Sequence, residues 1–422
     1  MSQLNDMSLK ENLDICLDRK YDCAILNLWY SSNYGALLTC FALQQALKKY
    51  YKSVKVVNYI APVMLDIFKN SEAEKFAHKY LNLTRLCLNK NDLNTLNNET
   101  ENFIVGSDQI WRNWGGYLDN SIFMLSFVDS SKKKIAYAAS FGIDHYEGSK
   151  IDIDLKSLLL ERFDDISVRE DDGVSICKNT FNVKATHVLD PVFIVDKSEY
   201  DAILTNSTDS HKNFVASYIL DKNEISKKFI DKFKILYPEK SLVNMTDISP
   251  LNKEKDSSQT SVESWLYNIK NCDYLLTDSF HGACFAIIYN KQFICLANED
   301  RGYSRFRSIF KQLHLESRCV LPSNSVDIEK LVQEKIDYNA VNKTLANLKE
   351  FSLKWLQESI EKEKTLKDND WAYEHLKNRI IFKLKIKHKI YKMLSKCTSG
   401  TLRLKLKRKR ELLKNQIDMF LR

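Results

Sequence analysis

Short apolar runs alternate with longer amphipathic stretches along most of the chain. Residues 22–28 predict a buried strand, residues 34–50 repeat apolar side chains at helical spacing, and residues 53–60 predict a second strand. The same alternation continues, with further strand candidates at 102–108, 133–142, 164–170, 185–190, 213–220, 241–245, 274–279 and 292–298. Buried strands that alternate with helices are typical of parallel sheets, so the pattern predicts an α/β fold.

We expect two Rossmann-like units and a helical extension. The predicted boundaries are 20–182 for the first unit, 183–345 for the second and 346–422 for the extension. Open parallel sheets bind ligands at the carboxyl ends of their strands. Polar residues that directly follow the predicted strands are therefore the candidates for function.

The first such residues lie between the first strand and the first helix. Asn33 and Gly35 stand there. Glycine lets the backbone approach a ligand closely, and the amides at a helix start attract anions. The alternative is an ordinary helix cap with a tight turn.

A richer cluster follows the strand at 102–108. Ser107, Asp108 and Gln109 come at its end, and Trp111 follows. Aromatic faces pair with the C–H faces of sugars, and a carboxylate can accept the proton of a sugar hydroxyl. A structural aspartate beside a tryptophan that fills a domain seam is the alternative.

Arg169 ends the strand at 164–170. Arginine binds carboxylate or phosphate through two parallel hydrogen bonds. The alternative is an ion pair with a neighbouring acid such as Glu170.

In the second unit, the strand at 274–279 leads into Asp278, Ser279 and His281. Gly282 and a run of small and apolar residues then predict a buried helix, so His281 lies near a helix N-terminus. A histidine there can donate to an anion or deliver a proton. A satisfied core histidine is the alternative.

Basic residues follow the next strand. Arg301, Arg305 and Arg307 fall in one loop and helix start, where they predict an anion clamp beside His281. A solvated basic helix face is the alternative.

Composition indicates a soluble protein of a reducing compartment. Hydrophobic residues make up 44% of the 422 residues, which suffices for sizeable cores. The 10 cysteines are scattered without zinc spacing. With neither a secretory signal nor an apolar run of membrane-spanning length in view, we expect a cytoplasmic protein without a metal.

Charge is unevenly distributed. Residues 377–422 hold 16 Lys or Arg and 2 acids, out of 63 basic and 55 acidic residues in the whole chain, so the rest has a net charge of −6. A cationic segment with interspersed Ile, Leu, Phe and Met fits an anionic membrane surface, such as the inner face of the cell membrane. Nucleic acid is the weaker interpretation because stacking aromatics do not interleave the charges, and a solvated or partner-binding tail remains an alternative.

The ordered series of motifs resembles the polysaccharide pyruvyl transferase family. It consists of SSNYGALLTCFALQQAL, FIVGSDQIW, AYAASFG, ISVRE, LDP and LLTDSFHGACFAIIYNKQFI. These motifs lie between residues 31 and 294, and the resemblance as a whole extends over about residues 22–320. The resemblance implies a glycosyltransferase-B-like arrangement of the two units. It also implies transfer of pyruvate from phosphoenolpyruvate to a sugar of an exopolysaccharide, capsule or lipid-linked glycan as a ketal, without an added cofactor.

By this resemblance, His281 is the leading residue for phosphate binding or general acid catalysis, and Arg169 is an anion ligand. Asp108, in the unit expected to hold the acceptor, would orient or deprotonate the sugar hydroxyl. Many family members carry Arg-x-His-Gly where this chain has Ser279 two residues before His281, so we expect Arg301 or Arg305 to supply the charge.

Two other functions stay open on the sequence. One is a glycosyltransferase that uses a nucleotide sugar on the same scaffold. The other is a non-catalytic glycan or membrane scaffold that acts through the basic tail.

Overall fold

The structure is a computed structural model. It describes residues 21–30, 33–113, 121–204, 211–245, 260–298, 302–323, 326–364 and 370–421.

The first unit is built on a parallel sheet. Its strands are Cys23–Leu26 (β1), Val54–Tyr59 (β2), Leu83–Cys87 (β3), Asn102–Val105 (β4), Lys133–Ala139 (β5), Asp165–Val168 (β6) and Thr186–His187 (β7). They lie in the order β3-β2-β1-β4-β5-β6-β7, and every pairing is parallel. The chain reverses direction across the sheet beside β1, where a doubly wound fold opens a crevice.

Helices cover both faces of this sheet. They are Tyr34–Leu47 (α1), Leu65–Phe68 (α2), Glu72–Tyr80 (α3), Lys90–Asn94 (α4), Lys150–Leu160 (α5), Asp171–Asn179 (α6), Pro191–Ile194 (α7) and Lys197–Leu204 (α8), with 3-10 turns at Pro62–Met64, Thr95–Asn98 and Ile122–Met124. Polar side chains begin several of them: Asn33, Ser71 and Ser149 each accept a hydrogen bond from a backbone amide of the first turn. Such caps satisfy amides that have no partner within the helix.

The short strand β7 belongs to the first sheet. The sequence places it in the second unit, beyond a boundary at residue 182, but Ser167 and Val168 of β6 pair with its two residues. A strand of two residues is too short for its sequence pattern to show which sheet it joins. The expected boundary at residue 182 therefore falls before the last strand of the first sheet.

The second unit contains the other parallel sheet. Its strands are Phe214–Tyr218 (β8), Ser241–Asn244 (β9), Tyr274–Thr277 (β10), Gln292–Leu296 (β11) and Cys319–Val320 (β12), in the order β12-β11-β10-β8-β9. Its helices are Glu224–Leu236 (α9), Val262–Asn271 (α10), Phe280–Ile288 (α11), Tyr303–Leu313 (α12) and Ile328–Gln333 (α13), with a 3-10 turn at Glu316–Arg318.

Aromatic side chains join the two units into one continuous core. Phe41 of α1 lies 6.2 Å from Tyr200 of α8, and Tyr200 lies 4.9 Å from Phe285 of α11, measured between ring centroids. Trp265 of α10 bridges Phe285 and Tyr34 at the start of α1. Because these rings are buried, the carboxyl edges of the two sheets are held face to face.

Three long helices complete the chain: Tyr338–Glu361 (α14), Asp370–Lys396 (α15) and Gly400–Leu421 (α16). Helix α14 returns to the first unit, where Ser352 Oγ accepts a 2.9 Å hydrogen bond from the Leu189 amide and Lys349 Nζ lies 2.7 Å from Asp196 Oδ1. Helix α15 packs beside α5, and α16 folds back on α15. Along the described residues, none of the helices combines the length and apolarity that crossing a bilayer requires.

The predicted fold class is confirmed. Two Rossmann-like units with parallel sheets face each other, and the chain continues into a helical segment that carries the basic residues. The cysteines in the described residues are free thiols, most of them buried, as the scattered spacing predicts.

Candidate functional site

Polar residues from both units converge where the carboxyl edges of the two sheets meet. Ser107 and Asp108 follow β4, Arg169 follows β6, and Asp190 follows β7. His281 lies in the first turn of α11, directly after β10. This is the edge at which parallel sheets place their ligands.

The guanidinium of Arg169 ties three strand ends of the first sheet together. Nη1 donates to Asp190 Oδ2 at 2.7 Å and to Ser107 Oγ at 3.2 Å, while Nη2 donates to Asp108 Oδ1 at 3.0 Å. Nε lies 3.8 Å from Glu170 Oε2. Burial opposes the charge of this side chain, but the three carboxylates outweigh it and raise the pKa of Arg169 above its usual value.

Asp108 is held in an unusual backbone conformation. Its φ is +81°, and a single parallel bridge joins it to Ala139 at the end of β5. A non-glycine residue in this region costs of order 1–3 kcal/mol and persists where its surroundings impose it. Burial alone would raise the pKa of Asp108, but Arg169, His281 and Arg305 outweigh it and hold that pKa below its usual value.

Asp190 links this cluster to the second unit. Its Oδ1 caps α7 by accepting the Val192 amide at 3.1 Å, and its Oδ2 faces Arg169 and lies 3.7 Å from His281 Nε2. Burial opposes ionisation, yet His281 and Arg169 together lower the pKa of Asp190 well below its usual value. The carboxylate is therefore ionised at neutral pH and lies close to the imidazole, beyond hydrogen-bond distance.

His281 sits against the first unit. A Cβ atom added to Gly35 would lie 2.1 Å from His281 Cγ, so only glycine leaves room for the ring at the start of α1. The side chain of Ser279 caps α11 by accepting the Gly282 amide at 3.3 Å, as Asn33 caps α1 through the Gly35 amide at 3.1 Å. The N-termini of two helices thus converge on His281, and their dipoles favour negative charge there.

Phe280 lies between two arginines. Its ring centroid is 4.9 Å from the guanidinium carbon of Arg169 and 5.3 Å from that of Arg305. Arg305 also donates from Nε to the Gly302 carbonyl at 3.2 Å. Burial, together with repulsion from Arg169, lowers the pKa of Arg305 to about 10.

Glu170 organises the loop after β5. Its Oε1 accepts the Phe141 amide at 2.7 Å and the Gly142 amide at 3.2 Å. Burial raises the pKa of Glu170 above its usual value. Gly142, with a φ of +76°, leaves space for Gln109, whose Oε1 would lie 2.3 Å from an added Cβ.

The structure brings together many of the residues that the sequence singles out. Those at this junction are Asn33, Gly35, Ser107, Asp108, Gln109, Arg169, Ser279, His281 and Arg305. Arg169 is engaged by acids, which is the alternative that the sequence left open, so it acts first as an internal tie. Arg301 lies outside the described residues.

Two predicted residues lie elsewhere. Trp111 is buried in the core, where Nε1 donates to the Phe123 carbonyl at 3.0 Å and the indole packs on Phe141, so its face is not offered to a sugar. Asp278 accepts the amides of Leu220 and Asp221 at 2.8 and 2.7 Å and fastens the loop after β8. Both expectations are corrected because packing and backbone hydrogen bonds occupy these side chains.

Asp190 and Phe280 are the functional candidates that sequence reasoning missed. Asp190 belongs to the LDP motif, where its position before Pro191 indicates a helix cap, and nothing local in the sequence shows its second contact with Arg169. Phe280 directly precedes His281, which the sequence singles out. The sequence does not show that the guanidinium groups of Arg169 and Arg305 lie near its ring.

The site combines three chemical capacities. Arg305 and two helix N-termini can hold an anion. His281 stands beside them as a proton donor or acceptor, and the ionised Asp108 can accept a hydroxyl hydrogen bond. His281 is 1% exposed and Asp108 and Arg305 are each 7% exposed, so in this conformation all three side chains are largely shielded from solvent.

A family model described as polysaccharide pyruvyl transferase matches residues 33–300 of the chain, which contain the whole of this junction apart from Arg305. No curated protein matches the sequence.

Solved structures of sugar-nucleotide enzymes show a remote likeness. The UDP-GlcNAc 2-epimerase of Neisseria meningitidis is 10% identical with a TM-score of 0.40, covering 84% of this chain and 99% of that one. The UDP-N-acetylglucosamine 2-epimerase of Rickettsia bellii is 10% identical with a TM-score of 0.44, covering 81% and 98%. E. coli ADP-heptose lps heptosyltransferase II is 10% identical with a TM-score of 0.35, covering 80% and 99%. Likenesses this remote assign no activity to this chain.

The substitution Arg169→Met should destabilise the protein in a pH-dependent way. It leaves Asp108 and Asp190 buried without their cation, which we expect to lower the free energy of unfolding by about 3–5 kcal/mol at neutral pH. Burial then raises the pKa of both carboxyls above the unfolded value. Carboxyls with a raised folded-state pKa stabilise the fold when protonated, so the loss should shrink as the pH falls from about 7 towards 4. Urea unfolding across this range measures it.

Arg318→Met is the matched control. Arg318 is also buried, but its guanidinium donates to the carbonyls of Leu331 and Glu334, each at 2.9 Å. The decrease in the free energy of unfolding that Arg318→Met causes should not vary over the same pH range. If both variants lowered the free energy of unfolding by an amount that does not depend on pH, the role assigned to Arg169 would be contradicted.

Proposed function

Because the chain belongs to the polysaccharide pyruvyl transferase family, we propose that it transfers pyruvate from phosphoenolpyruvate to a glycan. The acceptor is a sugar with two neighbouring hydroxyls in an exopolysaccharide, a capsule or a lipid-linked precursor. One hydroxyl adds to the enol carbon, the methylene carbon gains a proton, and the second hydroxyl displaces phosphate. The products are a cyclic ketal and inorganic phosphate.

The position of His281 carries this proposal. The ring belongs to the second unit but packs on Gly35 of the first, in the same junction as Asp108 and Arg305. A proton donor, an anion-binding cation and a hydroxyl acceptor are the groups that this reaction needs. They come from both units, so the full set assembles only when donor and acceptor sites are brought together.

Arg305 is the proposed ligand of the donor's negative charge. Ser279, where many family members have arginine, is used as a helix cap, and the guanidinium of Arg305 lies over the ring of the next residue, Phe280. Its lowered pKa reflects burial and the nearby Arg169, and an anion bound beside it would relieve that repulsion. The carboxylate or phosphate of phosphoenolpyruvate fits this requirement.

Asp108 is proposed to receive the acceptor. Its pKa is held below the usual value, so at neutral pH it is ionised and accepts a hydrogen bond from the attacking hydroxyl. Arg169 fixes the orientation of its carboxylate through the 3.0 Å hydrogen bond. We assign His281 the proton that reaches the methylene carbon, with the ionised Asp190 carboxylate 3.7 Å from its Nε2.

Phosphate release tests the reaction. With phosphoenolpyruvate and a panel of glycosides that carry free hydroxyl pairs, we expect release only when both substrates are present, and a product heavier by a ketal-linked pyruvate in mass spectrometry. His281→Ala should lower kcat by about a hundredfold or more, because a positioned acid contributes that much.

His145→Ala is the control, since His145 is an exposed histidine that pairs only with the neighbouring Asp144 among the contacts described. If His281→Ala turned over substrate as fast as the wild type, the assignment of the active site to this junction would be rejected. Turnover of a nucleotide sugar without phosphoenolpyruvate would instead support the glycosyltransferase.

Arg305→Met tests the donor site separately. Loss of a buried charge partner should lower kcat/KM for phosphoenolpyruvate by about thirtyfold or more, mainly through KM. Arg307→Met is the matched control two residues away, because Arg307 is partly exposed and pairs with Asp172. Equal effects of the two substitutions would refute the assignment of Arg305.

A further inference from the structure

Helices α15 and α16 form a hairpin that stands apart from the junction described above. Tyr373 and Ile380 of α15 are buried against the body of the protein, and α16 packs back on α15, with Lys409 Nζ 5.9 Å from the ring of Tyr391. Ile417 of α16 is buried as well. One side of α15 is therefore anchored, which fixes the orientation of its other side.

Large apolar side chains line that other side. Trp371, Phe382 and Met393 are 73%, 64% and 63% exposed, and Ile386 and Ile390 are exposed as well. An α-helix turns by about 100° per residue, so these five positions fall within an arc of about 100°. The arc lies opposite the buried Ile380, and the five side chains form what we call the apolar stripe.

Positive charge surrounds the apolar stripe. On α15 the lysines at 383, 385, 387, 389, 392 and 396 have no acidic residue among them. On α16 the run from Arg403 to Arg410 adds six more basic residues without an acid. Lysine and arginine can bring long apolar stems to an interface while their charges stay in water.

We propose that this hairpin binds the surface of a bilayer that contains anionic phospholipids. The apolar stripe enters the boundary between headgroups and acyl chains, and the flanking lysines meet the lipid phosphates. The apolar stripe and the lysines around it can therefore contact the same membrane surface at the same time. The inference rests on the hairpin alone and does not require the proposed reaction.

Charge argues against the other occupants. A second copy of the chain would bring two segments of +14 together, and like charges repel. Nucleic acid would attract the lysines but leave Phe382, Ile386 and Met393 in water. An anionic bilayer satisfies the charges and removes the apolar side chains from water.

Vesicle sedimentation of the full chain tests the proposal. We expect binding to vesicles of phosphatidylcholine mixed with phosphatidylglycerol, and binding weaker by about tenfold or more to phosphatidylcholine alone or at high salt. The variant Phe382→Ser, Ile386→Ser, Met393→Ser keeps every charge and should also lose about tenfold or more.

The matched control replaces exposed apolar residues outside the hairpin: Val63→Ser, Ile67→Ser, Ile235→Ser. It should bind as the wild type does. Quenching of tryptophan fluorescence by brominated lipids should occur in the wild type and disappear in Trp371→Phe, because Trp371 lies on the apolar stripe.

Several results would overturn the proposal. They are unchanged vesicle binding of the stripe variant, absence of lipid quenching, and retention on a DNA fragment without vesicle binding. A concentration-dependent dimer in sedimentation velocity that the stripe variant abolishes would assign the stripe to a second copy instead.

Discussion

The buried charge of Arg169 is the constraint on which the functional junction depends. A guanidinium removed from water is tolerated only if acids surround it, and here the acids follow three strands of the first sheet, β4, β6 and β7. Asp108, Glu170 and Asp190 are thereby fixed in place. Each also makes a second contribution, because Asp108 faces the cleft, Glu170 holds the loop after β5, and Asp190 reaches towards the second unit.

This cluster also sets the electrostatics of the interface between units. Asp190 lies 3.7 Å from His281 Nε2, and the ring of Phe280 lies within 4.9 and 5.3 Å of the guanidinium carbons of Arg169 and Arg305. The proposed reaction assigns anion binding to Arg305 and the helix N-termini, and it leaves Arg169 as the internal tie of the first unit. Under the proposed function, the groups for anion binding and proton transfer belong to the second unit, and the hydroxyl acceptor Asp108 belongs to the first.

The alternation of apolar runs was enough to predict both parallel sheets, because strands buried on both faces leave a strong signal in the sequence. The rule that ligands bind at strand ends led to Asp108, Arg169 and His281, which the structure places at one junction. The same rule failed for Trp111 and Asp278, since a strand end also contains side chains that fill the core or fasten loops.

Other features depend on contacts between distant parts of the chain. Strand β7 joins the first sheet through the pairing of only two residues with β6. Asp190 lies near His281, which is 91 positions away in the sequence. The need for glycine at position 35 arises from a ring in the other unit. Local patterns carry no record of such contacts, so these features became visible only in three dimensions.

A crystal structure with phosphoenolpyruvate bound tests the assembled junction most directly. We expect an oxygen of the donor within about 3 Å of the Arg305 guanidinium. Its methylene carbon should face the His281 imidazole, and the units should be open enough to admit it. Phosphoenolpyruvate bound away from both residues, or a sugar nucleotide occupying the junction in its place, would contradict the proposed site.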